Sequence, residues 1–227
     1  MPVSAFDNID PMLSFIIDLQ PRRILDVGVG HGKYGFLCRE YLEVQPHRFS
    51  PSEWQSEIVG IEVWDKYRNP VWGYAYNQVV LGDARQLIGT LGTFDLVIFA
   101  DIIEHFTKED GMKLIQKALD ISKWVIVSTP SVFVDEEDFY ETQGNKQMRH
   151  LSLWSPKDFA PYHTIVRDRS QCFIALISKQ PLDKSVGYVS SDWFNIKRMV
   201  RKMLPQWLVS GVHNMRAHGS EKTTPPH

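Results

Sequence analysis

The 227-residue sequence contains only two cysteines, Cys38 and Cys172, which stand far apart in the chain. Neither belongs to a Cys-x-x-Cys pair or to the Cys and His spacing of zinc sites. The sequence therefore predicts neither a disulfide framework nor a zinc site. Two reduced thiols fit a reducing compartment, and we expect a cytoplasmic protein.

The sequence also lacks a strong charge of one sign and a long apolar run. Its formal net charge of -2 provides no overall field that would attract a polyanion, so we expect no nucleic-acid partner. No run reaches the roughly 18 apolar residues of a membrane span. The N-terminal stretch carries Asp7 and Asp10 instead of the basic region of a signal peptide, which argues against secretion.

The composition is that of a globular protein, with 43% hydrophobic and 23% charged residues. The length suits one sizeable core but is short for two. We therefore predict one domain in residues 1–180 and a separate tail in residues 181–227.

Hydrophobic patterning predicts an α/β fold. Apolar positions at helical spacing in residues 11–19 and a helix-compatible segment at 111–121 predict helices. Buried strands are predicted at residues 24–27, 57–61, 78–81, 94–100 and 124–128. Residues 163–167 and 172–178 are joined by so short a link that they predict an antiparallel hairpin. The expected fold is a Rossmann-like, doubly wound, mostly parallel seven-stranded sheet that ends in this hairpin.

A glycine-rich turn follows the first predicted strand, where Asp26 precedes Gly28, Gly30 and Gly32 at alternate positions. Glycines permit positive φ and let a ligand approach the backbone closely. A dinucleotide site uses the spacing Gly-x-Gly-x-x-Gly to seat a pyrophosphate. Here Asp26 would repel a pyrophosphate but would suit the ammonium group of a methionyl moiety. The pattern therefore argues against a nicotinamide-dependent oxidoreductase.

Two more acids end the next two predicted strands. Glu62 closes the second strand, where a carboxylate accepts both hydroxyl protons of a ribose. Asp83 follows the third strand, where it is positioned to accept a hydrogen bond from an adenine amine while the backbone of Ala84 meets the ring. Each acid alone is typical of a surface or helix-cap residue. Three acids ending successive strands behind a glycine turn are a much stronger signal of one nucleoside ligand.

These segments resemble motif I, the ribose acid and the adenine acid of class I S-adenosylmethionine-dependent methyltransferases. Residues 94–106, 125–130 and 143–155 resemble later motifs of the type 11, type 23 and ubiquinone-biosynthesis groups, and the resemblance covers about residues 20–180. It implies S-adenosylmethionine as the cofactor. The implied cofactor contacts are Asp26, Gly28, Gly30, Gly32, Glu62, Asp83, Ala84 and Asp101.

The acceptor is expected at the carboxyl ends of the strands, where ligands bind open α/β sheets. Asp101, Glu104 and His105 follow the fourth strand, and His150 lies in a later loop. We predict His105 and His150 as candidate general bases, since a neutral imidazole takes a proton from a hydroxyl or amine. The alternative is structural, with one histidine capping a helix and the other tying down a loop.

The same residues also allow a divalent metal site, which is the less favoured interpretation. If a helix starts at Asp101, then Asp101, Glu104 and His105 share one face at positions i, i+3 and i+4, and His150 approaches from the loop. The pattern resembles the Glu-x-x-Glu-His sequence, with a distant His, of methyltransferases that bind a divalent ion. Here the shorter Asp101 replaces the first Glu. An oxygen-rich ligand set would favour magnesium or manganese over zinc.

The predicted function is methyl transfer to an oxygen or nitrogen of a small-molecule or glycan-like acceptor. The alternative is a protein of the same fold that binds the cofactor without turnover. A nucleic-acid methyltransferase is disfavoured, because residues 99–101 read Phe-Ala-Asp where base-amine enzymes carry Asn/Asp-Pro-Pro-aromatic. The acceptor and the oligomeric state stay open.

The tail contains a predicted basic amphipathic helix at about residues 192–204. Its apolar positions share one face, and four Lys and Arg residues share the other. The helix either packs on the domain or makes a peripheral membrane contact through its basic face.

Overall fold

The computed structural model describes residues 6–132 and 145–187. Within them, seven strands alternate with five α-helices. The strands are β1 (Arg23–Val27), β2 (Glu57–Glu62), β3 (Gln78–Leu81), β4 (Phe94–Ala100), β5 (Ser122–Pro130), β6 (His163–Asp168) and β7 (Cys172–Ser178). The helices are α1 (Ile9–Leu19), α2 (Lys33–Arg39), α3 (Pro70–Ala75), α4 (Ala84–Leu87) and α5 (Lys108–Ile121). Every strand and helix that the hydrophobic pattern predicts within these residues is present.

The strands form one sheet in the order β3-β2-β1-β4-β5-β7-β6. The first five are parallel, and β7 runs antiparallel to both β5 and β6. This confirms the predicted doubly wound sheet with an antiparallel C-terminal hairpin. The chain order reverses at β1, which lies between β2 and β4, and such a switch point opens a crevice at the carboxyl ends of the strands.

Two apolar layers cover the sheet. On one face, α1, α2 and the end of α3 pack against strand residues such as Ile24, Ile58 and Leu96. On the other, α4 and α5 pack against alternate strand residues such as Leu25 and Val97. Because both faces are covered, β1 and β4 are nearly continuous runs of buried apolar residues, as the sequence pattern predicted.

The segment that follows β7 packs on the domain as far as the structure describes it. Leu182 and Val186 contact the apolar layer that contains α1, and the backbone N–H of Gly187 donates to the Asp18 carboxylate at 2.7 Å. Residues 181–187, assigned to the tail from sequence, are therefore in contact with α1. The predicted amphipathic helix at 192–204 lies outside the described residues. None of the helices in residues 6–132 and 145–187 combines the length and apolarity needed to cross a membrane.

Candidate active site

A cavity of about 240 Å³ opens at the carboxyl ends of β1, β2 and β4. Parallel pairing brings these three strand ends to the same edge of the sheet. Among the described residues, the predicted site residues that line the cavity are Gly28, Gly30, Glu62, Asp83, Ala84, Asp101 and His105. Asp26, Gly32 and His150 are not among its lining residues.

The glycine turn has the left-handed backbone that its sequence predicted, with φ of 79° at Gly28, 52° at Gly30 and 93° at Gly32. At Gly28 the requirement is also steric, because a Cβ there would lie 2.0 Å from Cδ1 of Ile102. Gly32 immediately precedes α2 and packs against Val71 instead of lining the cavity. The turn therefore offers backbone, without side chains, to whatever enters the cavity.

Glu62 is buried and holds the glycine turn in place. Its Oε2 accepts from the N–H of Gly30 and its Oε1 from the N–H of Trp64, both at 2.8 Å. Burial raises the pKa of Glu62, although these backbone hydrogen bonds oppose the shift. Each carboxylate oxygen has a second lone pair, so the group can still accept from two hydroxyls in the cavity.

Asp83 pairs with Arg85, which sequence reasoning missed. The Asp83 carboxylate accepts from the Arg85 backbone N–H at 2.8 Å and from its guanidinium at 2.6 Å. Hydrogen bonding from Arg85 holds the pKa of Asp83 below its usual value, so the predicted adenine acid is ionised. Arg85 also lines the cavity, next to Ala84. The i, i+2 spacing of Asp83 and Arg85 at the start of α4 is a local sequence signal for this pair.

Asp26 is buried beneath the turn. It accepts a hydrogen bond from the hydroxyl of Tyr76 at 2.6 Å, and that hydroxyl accepts from the N–H of Gly35 at 3.1 Å. Burial raises the pKa of Asp26 to about 7, against the lowering effect of Tyr76. In this arrangement Asp26 supports the turn and the start of α2 from below. Its contact with an ammonium group stays a prediction.

Asp101 takes part in a polar chain that crosses the sheet edge. Its Oδ1 accepts from the hydroxyl of Ser128 at 2.8 Å, and that hydroxyl accepts from the amide of Asn8 at 2.7 Å. Asp101 has a φ of 55° and lies outside any helix. The assumption that a helix starts at Asp101 is wrong, because only a short 3-10 turn, Ile103–His105, follows, and α5 begins at Lys108. Asp101 therefore does not share a helical face with Glu104 and His105.

Glu104, His105 and His150 form a cluster next to the cavity, although they come from two separate segments. Each offers one potential ligand atom, and the three atoms lie within 4.8 Å of one another. The rings of His105 and His150 meet edge to face, with centroids 5.0 Å apart. Nδ1 of His105 lies 3.2 Å from the carbonyl oxygen of Arg149. Burial lowers the pKa of His105 to about 4, with the Arg149 carbonyl opposing the shift.

Glu104 is the buried member of this cluster, with 2% of its surface exposed. Its Oε2 accepts from the hydroxyl of Thr129 at 3.1 Å. Its Oε1 has no hydrogen-bond partner within residues 6–132 and 145–187. Burial, followed by the charge of Asp101, raises the pKa of Glu104 well above its usual value.

The fold recurs in several solved methyltransferase structures. An O-methyltransferase family protein from Burkholderia thailandensis matches with a TM-score of 0.54 and 14% identity, over 78% of this chain and 57% of that one. The N-terminal domain of EvdMO1, with S-adenosylhomocysteine (SAH) bound, matches with a TM-score of 0.53 and 19% identity, over 77% of this chain and 82% of that one. SAH-bound magnesium protoporphyrin IX methyltransferase (ChlM) from Synechocystis PCC 6803 gives 0.52 and 14%, over 77% and 83%.

The fold is that of class I methyltransferases. The likeness lies in the structure, since no protein-family model and no curated protein matches the sequence itself. This chain spans a little over half of the Burkholderia protein.

The methyltransferase fold also brings residues to the cavity that the sequence did not single out. Tyr67 lies in a 3-10 turn soon after Glu62, and its hydroxyl accepts from the side-chain amide of Asn145 at 3.0 Å. The ring of His31 packs edge-on to Tyr67, with centroids 5.0 Å apart. Lys33 lines the cavity as well, and burial lowers its pKa while the Asp101 charge opposes that shift. Asn145 lies in the loop that resembled a substrate-side motif, so part of this wall carried a sequence signal.

Proposed function

We propose that the protein transfers the methyl group of S-adenosylmethionine to an oxygen or nitrogen of a small-molecule or glycan-like acceptor. The observation that carries the proposal is the position of Glu62. This buried carboxylate lies at the cavity wall and is bonded to the N–H of Gly30, so one residue joins the glycine turn to a ribose-accepting position. Two of the structures with this fold carry SAH.

The cavity has the chemistry of a nucleoside site along its length. The turn at Gly28 allows close approach to the backbone, and Glu62 accepts hydroxyl protons. Asp83, ionised beside Arg85, is an acceptor for an adenine amine. A site with hydrogen-bond acceptors at two fixed points selects a ligand that has donors at matching points.

The acceptor is proposed to enter beside His105, which lines the same cavity. The nucleophilic atom of the acceptor attacks the methyl carbon, the carbon–sulfur bond breaks with its electrons going to sulfur, and the proton of the acceptor passes to an imidazole nitrogen. His105 and His150 are proposed as the bases that accept this proton, since His105 lines the cavity and the ring of His150 packs against it. Among proteins with this fold, ChlM is named for a porphyrin, and the EvdMO1 domain was studied with SAH and D-fucose.

Titration calorimetry with S-adenosylmethionine and SAH tests the cofactor half of the proposal. Glu62→Ala should weaken binding by about 10- to 100-fold, which corresponds to roughly 1.5 to 3 kcal/mol for a hydrogen bond to a charged group. Glu57→Ala is the matched control, because Glu57 begins the same strand at its far end. Gly28→Ala should abolish binding, whereas Gly89→Ala should not, since a Cβ at Gly89 meets nothing within 4 Å.

Unchanged affinity in both the Glu62 and Gly28 variants would contradict the cofactor assignment. An acceptor screen with labelled cofactor tests the catalytic half. Release of SAH with any acceptor supports an enzyme, whereas binding without turnover across the screen supports a protein that only holds the cofactor. His105→Ala and His150→Ala should lower turnover by about 100-fold while leaving cofactor affinity within a few-fold of wild type.

A further inference from the structure

Among residues 6–132 and 145–187, the buried carboxylate of Glu104 has no counter-ion. Only one of its oxygens is bonded, to Thr129, and the other has no partner in the described parts of the chain. No Lys or Arg in those parts forms an ion pair with it. Buried polar groups are nearly always hydrogen-bonded, and an unpaired buried carboxylate is costly. Glu104 therefore needs a partner that is a proton or a cation.

The imidazoles of His105 and His150 lie next to the Glu104 carboxylate. The Arg149 carbonyl can only accept a hydrogen bond, so Nδ1 of His105 is the donor in this contact. A backbone carbonyl on one imidazole nitrogen is the usual support for a histidine whose other nitrogen binds a metal. The ring of His150 packs against His105 from a separate loop.

The loop that carries His150 is hydrogen-bonded to the backbone of Glu104. The N–H groups of Leu151 and Ser152 donate to the backbone carbonyl of Glu104, at 2.7 and 3.2 Å. The position of His150 relative to Glu104 is therefore set by backbone hydrogen bonds. This gives the cluster the preorganisation that a ligand site requires.

We propose that Glu104, His105 and His150 together bind one divalent transition-metal ion. Their ligand atoms lie within 4.8 Å of one another. An ion with bonds of about 2.1 Å holds its ligands about 3 to 3.5 Å apart, which small side-chain adjustments achieve. Three protein ligands leave open positions, and, resting on the proposed function, these would hold an acceptor oxygen beside the cavity, with the two imidazoles then acting as ligands instead of bases.

The ligand set decides the class of ion. Asp101 is not part of the cluster, and its Oδ1 is occupied by Ser128. The set is thus two imidazoles and one carboxylate, not the oxygen-rich set assumed from the sequence. Imidazole suits zinc, iron, cobalt and nickel, whereas magnesium prefers oxygen ligands and keeps its waters. The structure therefore points away from magnesium and towards a transition metal.

Metal binding can be measured without any acceptor. Full-length protein stripped with chelator is titrated with Co²⁺, Zn²⁺, Mn²⁺ and Mg²⁺ by calorimetry, and Co²⁺ is followed by its visible absorption. The expected result is one ion per chain, with Mg²⁺ at least about tenfold weaker than Zn²⁺. Glu104→Gln, His105→Ala and His150→Ala should each weaken binding by about 100-fold or more, because losing a ligand exceeds the 10- to 100-fold cost of losing its support.

His163→Ala is the matched control, because His163 is an exposed histidine at the start of β6. It should bind metal like the wild type. The absence of saturable binding in wild type, or equal binding in the three ligand variants, would overturn the proposal and leave Glu104 neutralised by a proton. SAH affinity measured on the same metal-free samples reports folding and the proposed function separately. Metal binding without SAH binding would refute the proposed function but support the metal site. SAH binding without metal binding would refute the metal site but support the proposed function.

Discussion

Glu43 and Glu104 are both buried carboxylates, with 0% and 2% of their surfaces exposed, but their surroundings differ completely. Oε1 of Glu43 accepts from the N–H groups of Gln55 and Ser56 at 3.0 and 2.7 Å and from the Ser56 hydroxyl at 2.5 Å. Its Oε2 pairs with Arg48 at 2.5 Å. Burial raises the pKa of Glu43, but these hydrogen bonds outweigh it and hold the pKa below its usual value.

Within residues 6–132 and 145–187, Glu104 has one hydrogen bond and Glu43 has four, and the pKa of Glu104 is raised. This difference in hydrogen bonding distinguishes a carboxylate that stabilises the fold from one that is available to bind a ligand. A buried charge whose lone pairs are all used stabilises the fold around it, as Glu43 does for the segment 45–56 that follows it. A buried carboxylate left short of partners costs stability and retains an oxygen for a ligand.

The same substitution at both sites is the sharpest test, and its largest effect is expected at Glu43. Glu43→Gln leaves the buried guanidinium of Arg39 and the half-buried one of Arg48 without their carboxylate, and breaking a buried ion pair costs about 3 to 5 kcal/mol. Urea denaturation of wild type and variant measures it. A loss of unfolding free energy below about 1 kcal/mol would show that the hydrogen bonds of Glu43 do not stabilise segment 45–56.

Asp26 is an intermediate case, with one side-chain partner and a pKa of about 7. Because this pKa is raised, the folded state binds more protons than the unfolded state between about pH 4 and pH 7. The free energy of unfolding therefore falls as the pH rises through that window, by at most about 1.4 kcal/mol per pH unit from this group.

Asp26→Asn should remove that dependence, so the variant gains stability relative to wild type as the pH rises from 5 to 8. Thermal melts across this range measure the trend. The Tyr76 hydroxyl, which donates to Asp26, and the nearby Glu62 carboxylate both stay in place in the variant. Parallel stability curves for the two proteins would contradict the shifted pKa.

Glu104→Gln should change the stability of metal-free protein by less than about 1 kcal/mol, or increase it, because the amide replaces a buried carboxylate that has no ion-pair partner in the described parts of the chain. Urea denaturation in chelator is the measurement. A loss as large as that of Glu43→Gln would mean that Glu104 is a structural residue like Glu43.

The smallest effect is expected at an exposed ion pair, Lys113 with Glu109 on the surface of α5. Lys113→Ala should leave the unfolding midpoint unchanged within error, because solvent and salt screen such pairs. It sets the baseline against which the three buried acids are compared. A clear shift would show that pairing alone, without burial, contributes to stability here.

The sequence predicted what depends on local pattern. Apolar runs predicted every strand, and alternate glycines predicted the left-handed turn at Gly28. It did not predict the partner of Asp26, because Tyr76 lies 50 positions away and reaches it only in the folded chain. Nor did it predict the backbone of Asp101, which is fixed by pairing with Ser128 on β5 and not by helix propensity.

Segment 45–56 was harder still, because its composition is that of a loop. Nothing in the pattern indicated that Ser56 completes a network around Glu43. The cluster of Glu104, His105 and His150 was predicted in part. The Glu-His pair and the distant His150 were recognised, but the exclusion of Asp101 depends on three-dimensional geometry.

The ring of Tyr76 occupies space that side chains would otherwise fill at two other positions. A Cβ on Gly35 would lie 2.2 Å from its Cζ, and one on Gly60 would lie 3.2 Å from its Cδ1. Residues 35 and 76 therefore compete for one volume, although 41 positions separate them. In a library randomised at both, survivors should be paired, with a side chain at 35 accompanied by a smaller residue at 76. Such pairing would show that packing beneath the glycine turn couples these two positions.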